Sequence, residues 1–159
     1  MRTYRRLFQI FFLALILGSA SGCAMFQPDD PGYNNPQRAQ NIVRTSSQEG
    51  KQYRMGGASP SRGFDCSGLI WWAYRQNGLK VPRVTVDQAR AGYAVPKSSP
   101  RPGDIMVFRT SSGPRGLHTG IYAGNNTFIH SPSRGKTVRR ENMQPYWGNR
   151  LIAVRRIVI

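Results

Sequence analysis

The chain is poor in cysteine, in histidine and in negative charge. Its two cysteines, Cys23 and Cys66, are too few for a disulfide framework. Its two histidines, His118 and His130, stand twelve positions apart, and no pair of Cys or His has the close spacing of a metal clip. Neither a metal nor another cofactor is therefore expected. Seven acidic residues face 23 basic ones, a formal charge of +16 in 159 residues. Only four of the basic residues are lysines: Lys51, Lys80, Lys97 and Lys136. The longest apolar run, Leu7 to Leu17, is 11 residues and is broken by Gln9. A membrane-spanning helix needs roughly 20 such residues, so a permanent span is excluded there. Apolar residues make up 39% and charged residues 19%, enough for a modest core and too little charge for a disordered chain. The length allows one domain and excludes a multidomain enzyme.

The short apolar run has an address-like setting. Arg2, Arg5 and Arg6 precede it, and small residues follow it, the layout of a secretory signal over residues 1–22. The small-residue stretch ends in Ala20-Ser21-Gly22-Cys23. That stretch resembles the lipobox of bacterial lipoproteins, with Ala20 where Leu is usual. The resemblance implies lipidation of Cys23, with simple signal cleavage as the alternative. Residues 23–35 are rich in Pro, Asp, Asn and Gly and read as a flexible tether. The folded domain is expected over 36–159. The sequence leaves the choice of membrane open; in a cell with two membranes, Ala24 rather than Asp after Cys23 favours the outer one, facing the periplasm.

With Cys23 acylated or removed, Cys66 is a lone thiol in an oxidising compartment. Asp65 before it is a good N-cap, and Asn77-Gly78 is a stop signal. Leu69, Ile70, Ala73 and Tyr74 recur at helical spacing. A helix from Cys66 to Asn77 is thus predicted, with the sulfur on its first turn. Unpaired N–H groups at a helix N-terminus favour an anionic sulfur and can receive an oxyanion. Asp65 opposes this, so an imidazolium partner is expected.

The histidines supply that partner. His118 opens an apolar run that closes at Gly124-Asn125-Asn126, and His130 ends the next one, Thr127 to Ser131. An Asn-containing turn between two apolar runs predicts a hairpin. The hairpin brings both rings to one end of a sheet. Further strands are predicted at Asp104–Arg109 and Leu151–Ile159. Helices first and strands later argue an α+β fold with an antiparallel sheet. In this reading His118 takes the proton of Cys66, and His130 orients the His118 ring.

Several stretches then carry a family resemblance: GKQYRMGG (50–57), FDCSGLIWWAY (64–74), VPRVTVDQ (81–88), PRPGDIMVF (100–108), HTGIYAGNNTFIHSPS (118–133) and PYWGNRLIAVRRI (145–157). In this order the chain resembles the NlpC/p60 family of bacterial cell-wall cysteine peptidases. The resemblance implies a papain-like fold, N-terminal helices packed on an antiparallel β-sheet. It implies hydrolysis of a peptidoglycan stem-peptide amide, the bond from the γ-carboxyl of D-glutamate to the diamino acid. Cys66 matches the nucleophile, His118 the base and His130 the third polar member. Tyr53 matches an oxyanion-site tyrosine. Asp65 and Ser67 match positions that shape the pocket and hold the stem peptide's free amine. Thr119 and Met55 depart from the family pattern, and neither is expected to touch the chemistry.

The same fold and residues also permit an amidase or acyltransferase, or a lipoprotein that binds wall without cutting it. The arginines are scattered and form no basic stripe interleaved with aromatics, so nucleic acid is not an expected partner. The expected partners are stem peptides and, through the lipid, a membrane. A monomer is expected.

Overall fold

The computed structural model describes residues 34–111 and 113–157. The signal, Cys23 and all but the end of the tether lie outside them. Helix α1 (Pro36–Ser46) starts where its sequence dictates: the Asn35 side chain caps the Arg38 amide, and Pro36 occupies the first turn. A small pair of strands follows, β1 (Ala58–Ser59) and β2 (Gly63–Phe64), and then α2 (Cys66–Gln76). Asp65 caps α2 as predicted, accepting the Gly68 amide at 2.6 Å. The helix closes at Gln76 with Asn77 as its cap, one residue short of the expectation. A four-residue helix, α3 (Thr85–Gln88), leads into the sheet.

Six strands make that sheet: β3 (Tyr93–Val95), β4 (Ile105–Arg109), β5 (Leu117–Gly124), β6 (Thr127–His130), β7 (Arg139–Asn142) and β8 (Leu151–Arg156). Their order is β3-β8-β4-β5-β6-β7, and every pairing is antiparallel. Strand β4 begins at Ile105 rather than Asp104, whose side chain turns back to cap the Arg101 amide. Strand β8 ends at Arg156, short of the predicted terminus. The β5–β6 hairpin turns at Asn125 and Asn126, both at positive φ (50° and 56°), a conformation asparagine tolerates.

Strand β4 shows how the sheet is covered on both faces. Ile105 and Val107 point to one side, against Ile42 of α1 and Leu69, Ile70 and Tyr74 of α2. Met106 and Phe108 point to the other, against Phe128, Met143 and Val154, with Trp147 and Leu151 packed at the margin. Side chains alternate along a strand, so one continuous apolar run serves two cores. Each fully buried aliphatic or aromatic side chain contributes about 1.5–3 kcal/mol. Trp71 and Trp72 are half-buried against the first core rather than sealed in it.

Two polar devices fix the layers. Asp104 and Arg156, both buried, join β4 to β8 through two bonds of 2.8 and 2.7 Å. Gln88, fully buried, donates to the carbonyls of Ser67 (2.9 Å) and Pro82 (2.8 Å) and accepts from the Thr119 hydroxyl (3.2 Å). Gln88 thereby ties the start of α2 to β5, next to His118. The hydroxyl of Thr119 is thus part of the clamp that sets the two elements carrying Cys66 and His118.

Candidate active site

Cys66 is a free thiol, 7% exposed, on the first turn of α2. Its sulfur lies 3.4 Å from the Thr85 hydroxyl of α3. The helix start is held tightly. A Cβ on Gly68 would stand 2.0 Å from the Gly57 carbonyl oxygen, so only glycine permits this approach of chain to helix.

Asp65 has no polar capacity left for an outside group. It accepts from the amides of Gly56 (2.8 Å) and Gly68, from the Ser67 hydroxyl (3.2 Å) and from both terminal nitrogens of Arg83 (3.0 Å each). Arg83 also donates to Ser67 (3.1 Å) and to the Gly57 carbonyl (3.2 Å). Asp65 and Ser67 are buried and lie off the cavity wall. Arg83 carries no signal in the sequence: it stands 18 positions from Asp65, and only the fold brings the two together.

Cys66, Tyr53 and His118 line one cavity of about 740 Å³. Met55 lines it as well, with Sδ 3.8 Å from the Tyr53 hydroxyl. The exposed side chain of Met55 forms part of the wall. Partial burial, then the neighbouring Cys66 and Asp65, raise the pKa of Tyr53. Its hydroxyl stays a hydrogen-bond donor at neutral pH.

His118 and His130 meet edge to face. His118 Nε2 lies 2.7 Å from His130 Nδ1, both rings buried. The cross-strand pairing of His118 with Phe108 sets His118 on the aromatic face of the sheet. There Trp147 stacks on it, with centroids 5.4 Å apart and 29° between planes. Behind His130 stands Glu141, with Oε1 3.6 Å from His130 Nε2. Glu141 also accepts from the Trp147 indole and pairs with Arg139.

These contacts set the charges. Burial, then the adjacent His130, push His118 down from 6.5 to about 3, with Glu141 opposing. Burial lowers His130 too, again opposed by Glu141. His130, with help from Trp147 and Arg139, holds Glu141 down to about 2. At neutral pH the site is two neutral imidazoles backed by one carboxylate. The imidazolium expected beside the sulfur is absent at rest because a charged ring at that depth loses its hydration. A neutral His118 has a ring nitrogen free to accept a proton.

Among the described residues no group of three or more His, Cys, Asp or Glu could hold a metal. The arrangement joins a thiol, a base within the same cavity, a second imidazole behind the base and a phenolic donor opposite. That is the equipment for acyl transfer through a covalent thioester.

Residues 50–156 match the sequence pattern of the NlpC/P60 family. The chain belongs to that family. A probable endopeptidase of Haemophilus influenzae is 34% identical over 161 residues, covering 96% of this chain and 99% of that protein. A protein of Escherichia coli K12 named murein DD-endopeptidase MepS/murein LD-carboxypeptidase is 39% identical over 111 residues. That match covers 69% of this chain and 57% of the E. coli protein, so the chain spans little more than half of it. Among solved structures, an NLP/P60 family protein of Staphylococcus aureus, described as similar to lipoprotein, superposes with a TM-score of 0.73 at 32% identity. The superposition covers 82% of this chain and 45% of that one. Like other NlpC/P60 domains, this one has a papain-like fold, with the sulfur on a helix and the histidines on the sheet.

Proposed function

We propose that this protein is a cysteine endopeptidase that hydrolyses peptidoglycan stem peptides in wall remodelling. The observation that carries the reading is the shared cavity: a free thiol on the first turn of a helix, with His118 at the same wall and His130 bonded behind it. Cys66 attacks the scissile carbonyl while His118 takes the thiol proton. The Cys66 amide and the Tyr53 hydroxyl receive the oxyanion. His118 returns the proton to the leaving amine, and an acyl-enzyme remains. Water, activated by His118, then releases the carboxylate.

The cavity wall suits an acidic substrate. Arg134, Lys136 and Arg139 line it, and Glu141, paired with Arg139, is the one carboxylate among its lining residues. Stem peptides carry free carboxylates that such a wall attracts. In this reading the domain works at a membrane, held by a lipid on Cys23, as the lipoprotein description of the S. aureus neighbour encourages.

The family resemblance favours the D-γ-glutamyl bond to the diamino acid. A second reading, a D,D cross-link, draws support from the name of the E. coli relative. Asp65, the amine anchor that the first reading calls for, is already engaged by Arg83. The test is digestion of intact sacculi with wild-type protein and Cys66→Ala, followed by product masses. A γ-glutamyl cut and a D,D cut give different fragments, and hydrolysis gives a free carboxylate where acyl transfer does not. Equal digestion by both proteins overturns the scheme.

A further inference from the structure

His130 Nε2 is a buried nitrogen with no hydrogen-bond partner inside normal bonding distance. The nearest acidic atom to it is Glu141 Oε1 at 3.6 Å. The other charged groups near this ring are cations, Arg139 and Lys136, and the remaining ring neighbours are His118, Phe128 and Trp147. A bare lone pair on Nε2 would face the carboxylate oxygen and be repelled. A proton there turns the same contact into attraction.

From this contact we infer that Glu141 is a positioning residue, which fixes the proton on His130 Nε2 and so selects Nδ1 of His118 as the nitrogen that serves Cys66. The rest follows from counting protons. The two rings share one proton across 2.7 Å. With His130 protonated on Nε2 and neutral, its Nδ1 can only accept. His118 Nε2 must then donate, and a neutral His118 is left with Nδ1 bare. When Cys66 gives up its proton, that proton lands on His118 Nδ1. The positive charge is spread toward His130 and faces the Glu141 carboxylate, which remains ionised throughout.

Glu141 is itself held in place. The Trp147 indole N–H donates to one of its oxygens, and Arg139 pairs with the other. Trp147 also stacks on His118, so one side chain keeps both ends of the chain of groups in register. Arg139 Nε is buried without a hydrogen bond, so this arginine is not fully satisfied by the carboxylate it shares with His130.

The inference rests on the peptidase reading for its kinetic arm and stands apart from it for its spectroscopic arm. Long-range proton–nitrogen NMR of the histidines in the full folded domain reports each tautomer directly. The expected wild-type spectrum has His130 as the Nε2–H form and His118 with a bare Nδ1. A wild-type His130 in the Nδ1–H form overturns the proposal with no mutant needed. Glu141→Gln keeps an acceptor for Trp147 and removes the charge. Removing a unit charge from the far side of the paired ring, at an effective dielectric of about 20, changes the rate by about one order of magnitude. Glu141→Gln should therefore lower kcat by about that factor with KM little changed, move the His118 titration to lower pH, and populate the other His130 tautomer. Glu141→Asp should restore part of the rate. A Glu141→Gln protein that is folded, cuts like the wild type and keeps the wild-type tautomers refutes the role. A wild type that cuts nothing refutes the peptidase reading instead, and leaves the tautomer assignment to be judged on its own spectrum.

Discussion

Acid should destabilise this protein through His118, against the opposite contribution of Asp104, whose pKa burial raises to about 7. Burial and the neighbouring ring of His130 lower the pKa of His118 in the folded state from 6.5 to about 3. In the unfolded chain the same imidazole takes up a proton near pH 6.5. Between these values the unfolded state holds one proton more on this ring than the native state, so its contribution to stability is full above pH 6.5 and falls as the pH drops. One proton is worth about 1.4 kcal/mol per pH unit, which makes about 5 kcal/mol over the whole window. That is comparable to the entire stability of a small domain, roughly 5–15 kcal/mol. His130, also lowered, acts in the same direction. Glu141, lowered from 4.5 to about 2, adds to the loss below pH 4.5. The assay is urea unfolding at a series of pH values between 7 and 4, at constant ionic strength, for the wild type and His118→Gln. The wild-type free energy should fall by about one proton's worth per pH unit more steeply than that of the variant. His130 and Asp104 leave the variant with a slope of its own, so the difference between the two is the diagnostic quantity. Parallel curves would mean that His118 is not the buried neutral group described above.

Asp104→Asn leaves the Arg156 guanidinium buried without its carboxylate, and should cost about 3–5 kcal/mol by urea unfolding. Gly68→Ala drives a methyl against the Gly57 carbonyl at the start of the helix that carries Cys66; it should cost about 1–3 kcal/mol and lower kcat, measured by melting and by turnover on the same sample. Arg134→Gln with Lys136→Gln removes two cations from the cavity wall. KM for a soluble stem peptide should rise several-fold at low salt with kcat unchanged, and the difference should shrink in high salt.

What could be read from the sequence was whatever a short stretch of chain determines by itself. Asp65 and Gly78 bracket a helix through capping chemistry, and Cys66 falls on its first turn as a consequence. Asn125 and Asn126 tolerate positive φ, and the hairpin with its two histidines follows. The start of α1 is equally local, an Asn-Pro cap and first turn at the expected domain boundary. The rest of the site is made by pairing across distance. Glu141 sits in Arg-Arg-Glu-Asn, a strand with no apolar alternation, and nothing in that stretch marks it. It reaches His130 because β7 pairs with β6 in a register that sets Arg139 opposite His130 and Glu141 opposite Phe128. Residues two apart share a face, so Arg139 and Glu141 fall beside the buried ring together. A slip of one residue would carry Glu141 to the other face and leave His130 Nε2 against cations alone. Trp147, read as part of a matching stretch with no role, becomes the roof of His118 only through the chain path that follows β7. Gln88 and Arg83 are alike: each is an ordinary polar residue in sequence, and each gains its position from burial against carbonyls and a carboxylate far along the chain. Cys66 and the two histidines are thus placed by local chemistry, while the groups packed around them are placed by the register of the sheet.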